Sequence, residues 1–244
     1  MDKNEEITEE GSFMASLPLE PQVAKMVVDS RNSGCVKDIT TIAAFLSGKN
    51  VFLRPDGQKT IADEVHEKFK VRQSDPETLL KVWEEYEKHR GEEEWPQRNY
   101  LNEAVLSEVG QVREQLFEIL QENGVDLSEG HNSRIIAKHI TAGFSTNIMR
   151  KDHDSYHPLS KATWTAEIHP SSVLKDKHAT LPQHIVATDI FTHGDHTYAG
   201  TCLSLTPDEV RKYIPTETVI FDAKAKREKR RRHSQNRKGG KRRS

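Results

Sequence analysis

Two amphipathic patterns meet between Gln58 and Tyr86, and the break between them constrains the fold more than any other stretch. After Gln58-Lys59-Thr60, the residues Ile61, Val65 and Phe69 recur every four positions, the spacing of one helix face. Ser74 and Glu77 then form a capping-box pattern, with Pro76 in a first turn where its missing N–H costs nothing. Leu79, Val82, Trp83 and Tyr86 supply the apolar face of the second helix. Asp63-Glu64-Val65-His66 lies inside the first pattern. A D-E-x-H string holds magnesium only at the tip of a buried apolar strand, beside a phosphate loop. Helical spacing puts this one on a polar helix face instead.

The flanking sequence extends the helical reading. Pro21 starts a helix with Val23, Met26 and Val27 inward, and Gly34 is a natural stop. Val36 to Leu46 repeats the pattern with Ile39, Ile42, Ala43 and Leu46. Ser47-Gly48-Lys49 lacks the earlier glycine and the following hydroxyl residue of a phosphate loop, so it is rejected as a nucleotide site. The longest pattern runs from Ala104 to Gln121 and ends at Asn123-Gly124. Periodicity therefore predicts a helical domain over 15–125, after an acidic N-terminus at 1–14.

The pattern changes beyond a linker at 126–131. One short amphipathic helix, Ser133 to Phe144, precedes β-leaning segments at Thr163–Ile168, His184–Phe191 and Thr197–Leu205. His193-Gly194-Asp195-His196 reads as a hairpin turn, and Thr206-Pro207-Asp208-Glu209 as the cap of a last helix. Short strands at this spacing suggest a small barrel over 126–215. The expected class is α+β: a helical bundle, a small β-barrel and a tail.

That tail, 216–244, reverses the charge of the chain. The net charge is −2, yet residues 222–244 carry 12 Lys/Arg against 2 Asp/Glu, leaving 24 against 36 elsewhere. An acidic body with a basic tail is expected, the tail disordered for lack of an apolar face. Arg230, Arg231, Arg232, Lys241, Arg242 and Arg243 would bind polyanions by counterion release, and would act as an import signal in a nucleated cell.

Several classes of chemistry find no support. With Cys35 and Cys202 alone there is no disulfide framework and no thiolate zinc site. A reducing, cytoplasmic compartment is the simpler expectation, or a nuclear one in a eukaryote. No apolar run approaches the roughly 20 residues of a membrane span, so no membrane partner is expected. His184, His193 and His196 read as polar strand and turn residues rather than metal ligands. No serine or cysteine has a discernible base partner, so no catalytic residue is assigned.

A family resemblance gathers these pieces. Ala62-Asp63, His66, Phe69, Ser74-Asp75, Leu79-Leu80 and Val82-Trp83 resemble the ratchet domain of DEAH/RHA-type RNA helicases, as do Val36–Ser47, Asn99-Tyr100-Leu101 and Val112–Leu116. Ala142-Gly143-Phe144, Tyr156 and Ile168-His169-Pro170-Ser171-Ser172-Val173-Leu174 resemble that family's OB-fold. Ile7 to Ala15 resembles the last wing of its winged helix. The likeness covers about 7–210 and implies a C-terminal helicase region without its motor, with ATP entering only through that absent motor and no cofactor of its own. It implies a single-stranded RNA partner, held near Arg134, Lys138, Arg150, Lys151, His169, Ser171 and Ser172. It also implies helicase motor domains and activator proteins as partners. The alternative of a different class is a protein-docking module that binds no RNA itself.

Overall fold

The computed structural model describes residues 7–127, 129–160, 162–175 and 180–213. Residues up to Leu205 form one unit and those from Thr206 another. The first unit begins with α1 (Glu9–Ser16), capped by Thr8, whose Oγ1 accepts from the Gly11 N–H. Pro21 opens α2 (Pro21–Asp29), which buries Val23, Ala24, Met26, Val27 and Val28. This helix stops at Asp29; Gly34, at φ +74°, turns the chain into the next helix rather than ending the last.

Helix α3 (Val36–Leu46) is the hub. Eight of its eleven residues are buried, so it must be covered on nearly every side. The cover comes from α2, from α5 (Asp75–Lys88), from α7 (Glu103–Glu122) and from α8 (Ser133–Gly143). Trp83 of α5 meets Phe45 of α3 edge-on at 6.3 Å, a geometry worth about 0.5–1.5 kcal/mol beyond burial. The Arg113 guanidinium lies over both Trp83 and Phe117, and its Nε donates to the Thr41 hydroxyl. The N-cap half of the expected capping box is formed, with Ser74 Oγ accepting from the Glu77 N–H, while the Ser74 N–H donates to the Val71 carbonyl rather than to the Glu77 side chain.

Two expectations change in this layer. The first concerns α4 (Lys59–His66): Ala62, His66 and Phe69 are buried, whereas Ile61 is 52% exposed. Of the Ile61–Val65–Phe69 spacing, Phe69 is buried and Val65 half-buried, but Ile61 faces solvent. The packing partner decides instead, because Phe52 meets the His66 ring at 4.8 Å and the Tyr100 carbonyl bonds its Nε2. The second concerns α8, which the sequence pattern grouped with the strands. It packs on α2 and α3. Gly143 permits the approach, since a Cβ there would stand 2.6 Å from the Gln22 carbonyl oxygen.

Among the described residues seven short strands follow. β1 (Ile148–Asp152), β2 (Ser155–Pro158), β4 (His184–Ala187) and β7 (Cys202–Leu205) form an antiparallel sheet in the order β2-β1-β4-β7. β3 (Glu167–Ile168), β5 (Ile190–His193) and β6 (His196–Ala199) form a second sheet, ordered β3-β6-β5. Where a small barrel was expected, the described residues make two sheets and no closed barrel. The two long segments read from sequence both break midway and feed both sheets. The break has a physical cause: the Gly200 N–H donates to the Asp189 carbonyl, and an added Cβ on Gly200 would collide with the Asp189 carboxylate. Met149, Tyr156, Ile168, Leu174, Ile185, Ala199 and Cys202 share the core of this part.

In the second unit, Thr206 and Glu209 exchange hydrogen bonds as a capping box at the start of α9 (Pro207–Tyr213). Among the described residues no helix is long and apolar enough to cross a membrane.

Candidate nucleic-acid interface

Strand alternation determines which side chains share the outer face of the β3-β6-β5 sheet. Ile168, Ala199 and Ile190 pair across the three strands and turn inward: Ile168 and Ala199 are buried, and Ile190 packs against the same core. Their neighbours in sequence therefore point outward. Glu167 lies beside Tyr198, Phe191 is opposite Tyr198, and His193 is opposite His196. His169 follows β3 on the same side.

These groups form a continuous aromatic surface. The His196 and Tyr198 rings are nearly parallel at 6.0 Å. Phe191 lies 5.8 Å from Tyr198, and His169 stands edge-on to Tyr198 at 5.3 Å. Phe191 is 37% exposed, one of the few large apolar side chains left to solvent. Glu167 sits at one rim, 3.5 Å from His196 Nδ1 and 4.0 Å from Lys175 Nζ. Open aromatic rings on a sheet are the kind of surface on which unpaired bases stack.

The turn after β3 places His169. Ser171 donates to His169 Nδ1 from both its hydroxyl (2.7 Å) and its backbone N–H (3.3 Å), which leaves Nε2 to carry the proton of the neutral ring. Burial holds the His169 imidazole below its ordinary pKa. The turn is tied to the helices by Asp75 at the start of α5. One carboxylate oxygen accepts from the Ser172 hydroxyl (2.6 Å) and the Cys202 N–H (2.8 Å), and the other from the Val173 N–H (2.8 Å). Asp75 as a residue is only partly covered, but its carboxyl is desolvated strongly enough to raise its pKa despite three donors. Next to it, Ser204 N–H donates to the Gln73 carbonyl, extending the seam.

The residues expected at a nucleic-acid site fall on separate elements. Arg134 and Lys138 are exposed on α8, in the helical layer. Arg150 and Lys151 lie on β1, in the four-stranded sheet. His169 belongs to the aromatic face, and Ser171 is exposed beside it. Ser172 is a correction: it is 8% exposed and its hydroxyl is committed to Asp75, so it fastens the turn from beneath. Arg230, Arg231, Arg232, Lys241, Arg242 and Arg243 lie outside the described residues. His184 is on β4, hydrogen-bonded to β1 and β7, and does not face the His193–His196 turn across a hairpin.

Phe191, Tyr198 and the outward setting of His196 were missed from sequence. The signal existed, because the correctly read turn His193–His196 implies that Phe191 and Tyr198 face each other. The D-E-x-H string is helical as expected. Asp63 receives a two-pronged ion pair from Arg54 at 2.7 Å, which holds its pKa below the usual carboxylate range.

Comparison with known proteins places this architecture. Residues 20–99 match the helicase associated domain (HA2), ratchet-like. The probable ATP-dependent RNA helicase DHX35 of Homo sapiens is 36% identical over 235 residues, covering 94% of this chain and 33% of that protein. The ATP-dependent RNA helicase DHX33 of Drosophila melanogaster is 28% identical over 209 residues, 86% of this chain and 30% of that protein. The chain spans about a third of the length of these curated relatives. These similarities are consistent with the C-terminal, helicase-associated region of a DEAH-type RNA helicase, built on the ratchet-like domain.

Proposed function

We propose that this protein is an RNA-binding accessory region of a DEAH-type helicase, holding single-stranded RNA while a motor domain, in the same chain or another, turns over ATP. The observation that carries the reading is the outward aromatic surface of His169, Phe191, His196 and Tyr198. Bases stacked there would be held without sequence preference, as a translocating machine requires. Phosphates would be met by exposed cations such as Arg134, Lys138 and the basic tail. ATP turnover is assigned to the motor, and none is expected of these 244 residues alone.

The test is fluorescence anisotropy of a labelled, unstructured RNA with the full chain. Phe191→Ala should weaken binding by about 1–3 kcal/mol, the usual worth of a base–aromatic stack. The tail is unchanged in that variant, so its contribution cancels. Equal affinity of the variant and the parent would remove the sheet from the RNA path. The reading of different class, a module that docks other proteins, would then take its place.

A further inference from the structure

A groove of about 400 Å³ lies between α5 and α7 in the helical layer. Trp83, Tyr86, Leu106 and Gly110 supply its apolar lining, with Arg90 and Glu114 as charged edges. Gly110 accounts for it. Glycine is a poor choice inside a helix, but a Cβ here would stand 3.2 Å from the Trp83 ring. The missing side chain lets the indole lie close to α7 and leaves the space beside it open.

The charge around the groove is strongly one-sided. Residues 75–122, which contain both helices, carry 13 Asp/Glu against 5 Lys/Arg, a net of −8, whereas all of 1–221 is −12. The five cations are held by carboxylates of the same segment at 2.7–3.3 Å: Lys81 and Lys88 by Glu85, Arg90 by Glu87, Arg98 by Glu92 and Arg113 by Glu114. Among the described residues Glu93, Glu94, Glu108, Glu118 and Glu122 are exposed and have no cationic partner. The groove positions of α7, which are Ser107, Gly110, Gln111 and Glu114, recur at the spacing of one helix face. Glu118 and Glu122 continue that face. An acidic track therefore leads out of an apolar groove.

Such a surface repels phosphate, whether in RNA or at a lipid headgroup, and attracts Lys and Arg. We propose that it is a docking groove for a basic segment of another protein, with an apolar side chain such as leucine seated over Trp83 and Tyr86 and flanking Lys or Arg on the glutamates of α7. It stands apart from the RNA reading, because it uses other residues and the opposite charge. The anchor side chain, desolvated in the groove, supplies most of the affinity. The exposed ion pairs supply steering and a salt dependence.

The experiment uses the full chain and two fluorescein-labelled probes: an arginine–glycine dodecapeptide with central leucines, and its leucine-to-serine counterpart. Anisotropy should show the leucine peptide binding at least about tenfold more tightly, the loss typical of removing a buried anchor. Ser107→Trp fills the groove from an exposed position and should abolish that difference. Circular dichroism checks that the variant is folded, and Gln111→Trp serves if it is not. Glu118→Gln with Glu122→Gln should weaken the leucine peptide about two- to fivefold and reduce its salt dependence. Failure of the leucine peptide to bind, equal binding of the two peptides, or a preference for leucine that survives in the folded Ser107→Trp variant overturns the groove. Displacement of the leucine peptide by oligouridylate would give the groove to RNA. Self-association of the parent in sedimentation, lost in Ser107→Trp, would give it to a second copy. Either result overturns the basic partner.

Discussion

The helical layer and the sheets are held by different physics. Around α3 the contacts are apolar and interlocking: α3 is enclosed by four helices, and Phe45, Trp83 and Phe117 close the space with Arg113. The sheets have a smaller core, and their attachment to the start of α5 centres on one carboxylate, Asp75, which takes three donors, two from the turn after β3 and one from β7, beside the Gln73–Ser204 bonds. Dispersed apolar packing fails gradually, one side chain at a time. A single polar node fails at once, because each abandoned donor keeps its full desolvation cost. The two regions should therefore respond differently to perturbation.

The largest effect is expected in the helical layer. Leu116 on α7 is fully buried, so Leu116→Ala should cost about 2–5 kcal/mol. Denaturant unfolding would measure it, with the whole unit lowered together. A loss under ~1 kcal/mol would mean that this layer is less tightly packed than its burial implies.

Asp75→Asn keeps the volume but turns an amide NH2 toward donors. It should cost about 2–4 kcal/mol, concentrated at the seam. Hydrogen exchange would read it out, with the amides of Val173 and Cys202 losing protection while those of α3 keep theirs. Equal loss in α3 would erase the contrast between the two regions.

The smallest effect is set by pH. His66 and His139 are buried in the helical layer, and burial holds both imidazoles below their ordinary value. The unfolded chain takes up these protons near pH 6.5, about the free-histidine value, while the folded chain resists. Stability should therefore be level above that point and decline as pH falls from it through the lowered folded values. The decline is at most about 1.4 kcal/mol per histidine per pH unit. Urea unfolding at several pH values would show it, and the pair His66→Gln and His139→Gln should flatten the curve. A curve that stays steep in the pair would assign the dependence to other groups.

Part of this arrangement is readable from pattern alone because it is local. The Ser74 cap, the Thr206 cap and the His193–His196 turn involve residues within three or four positions, and each forms as expected. The helical setting of Asp63-Glu64-Val65-His66 is equally local. The misread features are all long-range. The burial of His66 rather than Ile61 on α4 was decided by Phe52 and Tyr100. The layer to which α8 belongs was decided by a close approach at Gly143. The inward turn of Ser172 was decided by a carboxylate 97 positions earlier in the chain.

The sequence by itself determined most of the helices, though not α1 or the short helix Trp95–Arg98, as well as the charge reversal toward the C-terminus and the likeness to helicase-associated regions, because propensity, capping and composition act over short distances. Only the tertiary structure decided that the strands divide into two sheets at Asp189 and Gly200. It alone joined the start of α5 to the turn after β3, and brought three histidines, a tyrosine and a phenylalanine onto one outward face. Those outcomes depend on which distant groups meet, and steric contact and desolvation are settled only when the chain has closed on itself.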